Sequence, residues 1–293
     1  MTTFAKSTFN AVSYHVFRPT YPPSLYQTVL VFHRGPRNLG VDLGTGPGIV
    51  PRVLAKDFKH FIGTDPSPKM IQESKDSTPP SEYPNVDYHV ASAEFLPFIK
   101  DGSVDIVVAA QAAHWFDYPK LFTELKRIIR PGGTLAFWGY KDHVYVGYPE
   151  ASRMLKEVSY GMDPEKQLGS YWSQPGRSIT QNKLRAIKPP EDEWDDITRI
   201  EYEPGTKGPK SGEGTLFVNK RMTVAQSMDY MRTWSSFHDW EKNHPDDQKR
   251  SEGGSGDLID WIYDDMKKAE GWTDDNMMLD VEWGSGLLLA RKK

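Results

Sequence analysis

Asp42-Leu43-Gly44-Thr45-Gly46-Pro47-Gly48 places a carboxylate at the end of a short apolar run and follows it with three glycines. Glycine lets a backbone turn tightly and approach a ligand closely. Alone, such a loop is also a plain turn, or the phosphate cradle of a dinucleotide site. Asp42 argues against the cradle: pyrophosphate would rest on the N-terminus of the following helix, where a carboxylate repels it. A phosphate-free ligand carrying a sulfonium and an ammonium tolerates that acid or gains from it. Asp65 ends the next apolar run and can accept from both hydroxyls of a ribose, a feature that suits NAD equally well. Ala91-Ser92-Ala93-Glu94 follows the third run. Ser92 or Glu94 can accept from an adenine amine, and the flank Phe95-Leu96-Pro97-Phe98, with Met70, can sandwich the ring. Each residue alone also reads as a turn or a cap; in this order they read as a nucleoside site.

A second group suits an acceptor. His114-Trp115 follows the fourth apolar run, and an imidazole titrating near neutrality can orient a substrate or take its proton. Trp138 and Tyr140 end the fifth run. Trp172 and Arg177 lie further on, and Arg232 and Trp234 on a later helix. Arg177 and Arg232 are the candidates for gripping a carboxylate, since a guanidinium binds one through two parallel hydrogen bonds. Tyr14 and Arg18 are expected to fold over the bound ligand as an N-terminal flap, with Arg18 pairing with its carboxylate.

These residues need a scaffold that brings strand ends together. Residues 39–43, 60–64, 86–90, 104–110 and 134–138 read as strands, the fourth apolar almost throughout and so suited to the middle of a sheet. Helical patterns lie between them over 50–57, 68–74 (capped by Ser67) and 119–129, where Pro131-Gly132-Gly133 is expected to stop the helix. Such alternation implies a parallel sheet with right-handed crossovers, whose ligands bind beyond the carboxyl ends of the strands. From 141 the pattern changes. A strand is expected over 197–202, amphipathic helices over 223–240 and 258–268, and closing antiparallel strand material around Gly284-Ser285-Gly286. The expected organisation is an N-terminal flap and helix (1–38), a Rossmann-like core (39–140), and a mostly helical cap with the closing strands (141–293).

The 293 residues can bury one substantial core with a subdomain. A net charge of −4, with basic runs no longer than Arg291-Lys292-Lys293, argues against a nucleic-acid partner. The absence of cysteine excludes disulfides and thiolate metal sites, and no metal is expected. No run approaches the ~18 apolar residues of a membrane span, and Met1 to Lys6 has no apolar signal core. A cytoplasmic chain without a membrane partner is expected, as a monomer or homodimer.

The ordered motifs Asp42–Gly48, Asp65-Pro66-Ser67, Ser92–Phe98, Ser103-Val104-Asp105 and His114-Trp115-Phe116-Asp117 resemble class I methyltransferases. Arg18-Pro19-Thr20-Tyr21-Pro22 with Tyr14, Tyr171–Ser178, and Tyr230-Met231-Arg232-Thr233-Trp234-Ser235 resemble the fungal trans-aconitate methyltransferase-like branch. The resemblance implies S-adenosylmethionine as cofactor on a class I methyltransferase sheet. It puts Asp42, Gly44 and Gly46 beside the methionine part, Asp65 at the ribose, Met70, Ala93 and Glu94 at the adenine, and Gln111 close to the sulfonium. Many relatives carry an acid where Ser92 stands, which leaves the adenine amine to Ser92 or Glu94. The implied reaction is methyl transfer to a small-molecule acceptor, first a carboxylate of a small organic acid such as trans-aconitate. Alternatives are an O- or S-methyltransferase of a fungal secondary metabolite, in which His114 serves as base, and a cofactor-binding protein without transfer activity. An NAD-dependent oxidoreductase is the rival from another enzyme class.

Overall fold

A computed structural model describes residues 18–293, so Tyr14 lies outside the described residues. Helix α1 (Pro23–Phe32) precedes an alternating series: β1 (Leu39–Leu43), α2 (Ile49–Leu54), β2 (His60–Asp65), α3 (Pro68–Asp76), β3 (Val86–Val90), β4 (Val104–Ala110) and α4 (Tyr118–Ile128). Then come β5 (Ile129–Tyr145), α5 (Pro149–Tyr160), α6 (Gly176–Gln181), β6 (Trp194–Glu203), the short β7 (Glu213–Gly214) and β8 (Asn219–Thr223). The chain closes with α7 (Val224–Arg232), α8 (Ser235–Asn243), α9 (Leu258–Glu270) and β9 (Met278–Lys292).

One sheet runs β3-β2-β1-β4-β5-β9-β6-β7. The first five strands are parallel, and β9 enters antiparallel between β5 and β6. The central strands β1 and β4 are buried along nearly their whole length, as their apolar runs require when both faces are covered. Helix α4 buries Leu121, Phe122, Leu125 and Ile128 on one side and is capped by Asp117. Ser67 caps α3 as the sequence predicts. Asp105 knits the start of β1 to β4: it accepts from the Asn38 and Leu39 N–H groups at 2.7 and 3.0 Å and pairs with Arg130.

Two elements differ from the sequence reading. First, β5 begins at Ile129, directly after α4, and passes through Pro131-Gly132-Gly133 to Tyr145. These residues make a register shift against β4 rather than a stop. Second, the single helix expected over 223–240 is two, α7 and α8, broken at Thr233-Trp234, where Trp234 turns extended. The break frees the Thr233 carbonyl, which accepts from Arg18 at 3.0 Å. The closing antiparallel strand expected around Gly284-Ser285-Gly286 is present as the single strand β9, in line with the sequence reading. A Cβ at Gly286 would stand 2.4 Å from the Lys183 carbonyl oxygen, so this glycine permits close packing across the sheet face.

The core lies on both faces of the sheet. One cluster joins α1 (Leu25, Val29) to the sheet residues Ile106, Val108 and Trp138, then to α5, α7 and α9 through Leu155, Met231 and Tyr263. The other packs Leu121, Leu125, Ile179 and Trp194 on Val107, Phe137 and Leu288. The helical pieces therefore share their hydrophobic interior with the sheet. Among the described residues no helix is long and apolar enough to cross a membrane.

Candidate active site

Two cavities meet at the carboxyl ends of the parallel strands. The first encloses roughly 1210 Å³, its open mouth included. Gly44, Thr45 and Gly46 line it from the turn after β1, Asp65 from the end of β2, Met70 from α3, Ser92, Ala93 and Glu94 from the loop after β3, and Gln111 from the end of β4. The glycine turn is built from left-handed residues: φ is +66° at Gly44 and +76° at Gly48. A Cβ would meet Ala112 Cβ at 2.5 Å from Gly44 and the Tyr88 hydroxyl at 2.3 Å from Gly48.

Asp65 is fixed by two backbone donors, Gly46 N–H at 3.0 Å and Ser67 N–H at 2.9 Å. Burial raises its pKa while those two bonds hold it down. Asp42 is 1% exposed and lies beneath the glycine turn, outside the cavity lining. Neither of its carboxylate oxygens has a hydrogen-bond partner among the described residues; the Thr45 hydroxyl stands beside it short of hydrogen-bond geometry. Burial, with Asp65 adding to it, pushes the Asp42 pKa up to about 8. No lysine or arginine lines this cavity among the described residues, while Asp65 and Glu94 do. That donor set, with an orphaned buried carboxylate behind it, suits a cationic ligand without phosphate. Glu94 also accepts from the Asp117 N–H at 3.0 Å, tying the loop after β3 to the start of α4.

The second cavity encloses roughly 620 Å³ and shares Gln111 and Trp115 with the first. Gln111 holds φ at +53°, an uncommon conformation for a residue with a side chain. It is locked there because its N–H donates to the Trp138 carbonyl at 2.8 Å and its amide pairs with the Tyr140 backbone. Gly139 makes room: a Cβ there would stand 2.8 Å from the Gln111 amide oxygen.

Around this second cavity stand His114, Trp115, Tyr140, Trp172, Tyr230 and Trp234, with the charged groups Arg18, Lys141, Asp142 and Arg177. The Arg177 guanidinium lies 3.8 Å from the centre of the Trp172 ring. Its Nη2 reaches the Asp142 carboxylate and, at 2.8 Å, the Tyr160 hydroxyl, which itself donates to Asp142. Arg18 binds the Thr233 hydroxyl at 3.1 Å and stands over the Tyr230 ring at 5.6 Å. The His114 Nδ1 is buried and has no partner among the described residues. Burial first, then the charges of Arg177 and Arg18, lower the His114 pKa to about 3.

The structure distributes the expected residues unevenly. Gly44, Gly46, Asp65, Met70, Ser92, Ala93, Glu94 and Gln111 share the first cavity, and His114, Trp115, Tyr140, Trp172, Arg177 and Trp234 the second. Arg18 lines the second cavity rather than the first. Arg232 is a correction: it lines neither cavity and pairs with Asp257 at 2.7 Å and Asp260 at 2.9 Å, tying α7 to α9. Trp138 is another: it is 2% exposed in the core, edge-on to Tyr21 and Tyr26. Tyr21 in the first cavity and Lys141, Asp142 and Tyr230 in the second are among the lining residues to which the sequence reading gave no role; Tyr160 lines neither and contacts Asp142 and Arg177. Asp142 carried a signal, since it stands just past the carboxyl end expected for the fifth strand.

A family model described as a methyltransferase domain matches residues 41–137. A Saccharomyces cerevisiae protein named as a probable S-adenosylmethionine-dependent methyltransferase is 29% identical, the match covering 100% of this chain and 99% of the relative. A Dictyostelium discoideum protein named as a methyltransferase is also 29% identical, over 96% of this chain and 92% of its own length. A solved Anaeromyxobacter dehalogenans protein, described as a candidate type II methyltransferase, superposes with a TM-score of 0.70 at 24% identity, covering 94% of this chain and 98% of that one. The architecture is the class I methyltransferase fold.

Proposed function

We propose that this chain, an S-adenosylmethionine-dependent methyltransferase, esterifies a carboxylate of a small organic acid. In this reading the first cavity takes the donor. Asp65 holds the ribose hydroxyls, Met70 and Ala93 flank the adenine, Ser92 or Glu94 accepts from its amine, and Gly44 and Gly46 let the backbone approach the methionine part. Asp42, raised to about pKa 8 by burial, would supply negative charge beneath that part once the cationic donor favours its ionised form. Gln111, shared by both cavities, stands where donor and acceptor meet.

The bound donor supplies an electrophilic methyl group: a carboxylate oxygen forms the new C–O bond as the C–S electron pair returns to sulfur, leaving a methyl ester and S-adenosylhomocysteine. The chain's task is then to align the acceptor and to strip it of water. The aromatic walls Trp115, Trp172, Tyr230 and Trp234 exclude water, while Arg18 makes the cavity attractive to an anion.

The observation behind a carboxylate acceptor is that Arg18 lines the second cavity while His114, the one histidine of that lining, is buried with its Nδ1 unpartnered among the described residues. With its pKa held near 3, the imidazole is neutral and weakly basic at working pH. Deprotonating a phenol, alcohol or thiol calls for a base whose pKa is near the operating pH. A carboxylate is already ionised and asks for none. His114 then acts as a hydrogen-bonding wall rather than as the base.

The test is methyl transfer from labelled donor to matched panels of carboxylic acids, phenols and thiols. Methyl esters release labelled methanol on alkaline treatment. An alkali-stable product would sink the carboxylate reading in favour of an ether or thioether.

A further inference from the structure

At the face of the acceptor cavity formed by β5 and α6, each cation already has a carboxylate of its own. Arg177 is paired with Asp142, and Lys141 with Glu203 at 2.7 Å. The second oxygen of Asp142 is taken by the Tyr160 hydroxyl, whose oxygen in turn accepts from Arg177 Nη2 at 2.8 Å. The side chains of Arg177 and Asp142 are only 12% and 14% exposed, so this pair is largely shielded from solvent. The adjoining surface is aromatic, with the guanidinium 3.8 Å from the centre of the Trp172 ring and 6.0 Å from that of Trp234. An incoming carboxylate could reach Arg177 only by standing next to Asp142, and like charges brought together in such a place repel strongly. Asp142 lies further along β5 than Tyr140, whose backbone Gln111 holds at the meeting point of the two cavities. A group that extends from the reacting carboxylate along β5 therefore meets an acid and indole faces.

We propose that Asp142 sets acceptor selectivity: it restricts the cavity to acids carrying one carboxylate on a flat or apolar body and turns away di- and tricarboxylates. This rests on the carboxylate reading above and narrows it. The negative charge of Asp142 does the excluding, and Tyr160 positions it.

The experiment compares acids that share a skeleton, benzoic with isophthalic acid and hexanoic with adipic acid, on the full-length protein at saturating donor. Wild type, Asp142→Asn and Asp142→Glu are assayed for KM and kcat. Because Trp115, Trp172 and Trp234 line the cavity, quenching of tryptophan fluorescence reads acid binding without turnover. S-adenosylhomocysteine binding verifies that each variant is folded.

Wild type is expected to prefer the monoacid of each pair. Asp142→Asn should lower the KM of the diacid relative to that of the monoacid by about tenfold or more, the scale of removing one like-charge contact. Asp142→Glu, which keeps the charge, should retain the wild-type ratio. A wild-type preference for diacids overturns the proposal whether or not any variant folds. So does an unchanged ratio in Asp142→Asn, or an equal shift in Asp142→Glu. If neither class of acid binds or reacts while phenols or thiols do, the carboxylate reading itself fails, and the selectivity proposal with it.

Discussion

Gln111 and Tyr140 exchange two hydrogen bonds: the Gln111 amide donates to the Tyr140 carbonyl at 2.9 Å, and the Tyr140 N–H donates to the Gln111 amide oxygen at 2.7 Å. The side chain thus extends the β4–β5 pairing by one rung. It also keeps Gln111 in the left-handed region, a conformation worth about 1–3 kcal/mol of strain that surrounding bonds must offset. The junction of the two cavities is therefore held by strand-like bonding rather than by a free loop.

Gln111→Ala removes both bonds and lets the turn relax. Its kcat should fall by about a hundredfold, the usual scale for loss of alignment. Donor affinity, measured by titration calorimetry, should fall much less. Equal losses in both would assign Gln111 to donor binding instead of alignment.

The His114 pKa of about 3 gives a direct expectation for the pH–rate profile. Between pH 5.5 and pH 8 the imidazole does not change charge, so kcat/KM should show no ionisation belonging to it. A limb with an apparent pKa near 6.5 that vanishes in His114→Asn would restore the histidine as a base.

Asp42 makes the ligand-free protein less stable as pH rises. Its folded pKa of about 8 stands above the ordinary 3.8, so between those values the folded state keeps a proton that the unfolded state has lost. Stability from this group is therefore full below about pH 4 and declines toward pH 8, by several kcal/mol in total. Asp42→Asn should melt higher than wild type at pH 8, with the difference closing below pH 4. A cationic donor prefers the ionised form, so wild-type affinity should tighten from pH 6.5 to pH 8.5. In the variant it should be weaker and flatter.

The two arginines first considered for substrate should part ways. Arg232→Ala leaves Asp257 and Asp260 uncompensated and largely buried, a loss of about 3–5 kcal/mol in stability. Its signature is a lower melting temperature. Arg177→Ala should instead reduce kcat/KM for the acceptor by about tenfold or more, because it leaves Asp142 uncompensated beside the acceptor while the Tyr160 hydroxyl still donates to it. A lower melting temperature in Arg232→Ala with little change in acceptor kinetics, and reduced acceptor kinetics in Arg177→Ala, would support this division; the reverse pattern would refute it.

Much of the donor half was legible because local rules govern it. Apolar runs bounded by glycine and an N-cap serine specify strands β1 to β4 and helix α3, and the ligand edge follows from strand polarity. The acceptor half depends on contacts between residues distant in sequence. Arg177 and Arg232 look alike as isolated arginines. Which carboxylates surround them is decided when α6 meets β5 and α7 meets α9. Pro131-Gly132-Gly133 carries turn chemistry, yet it lies within a strand, because a register shift outweighed its local preference. The broken helix at Thr233 is also a tertiary effect, with Arg18 claiming its carbonyl.

Strand β5 carries Trp138 into the interior, Tyr140 to the junction and Asp142 into the wall of the second cavity, and β9 pairs with it from Thr134 to Tyr140 and again from His143 to Tyr145, with a register shift between. The wall of the second cavity thus hangs on this two-stranded ribbon, while the first cavity is lined from the ends of β1 to β4. A clamshell motion of one half against the other would have to bend or unzip that ribbon. In the proposed reading the junction between the cavities is consequently held by β4–β5 and β5–β9 pairing, and admitting or releasing molecules falls to side chains and short segments at the rim.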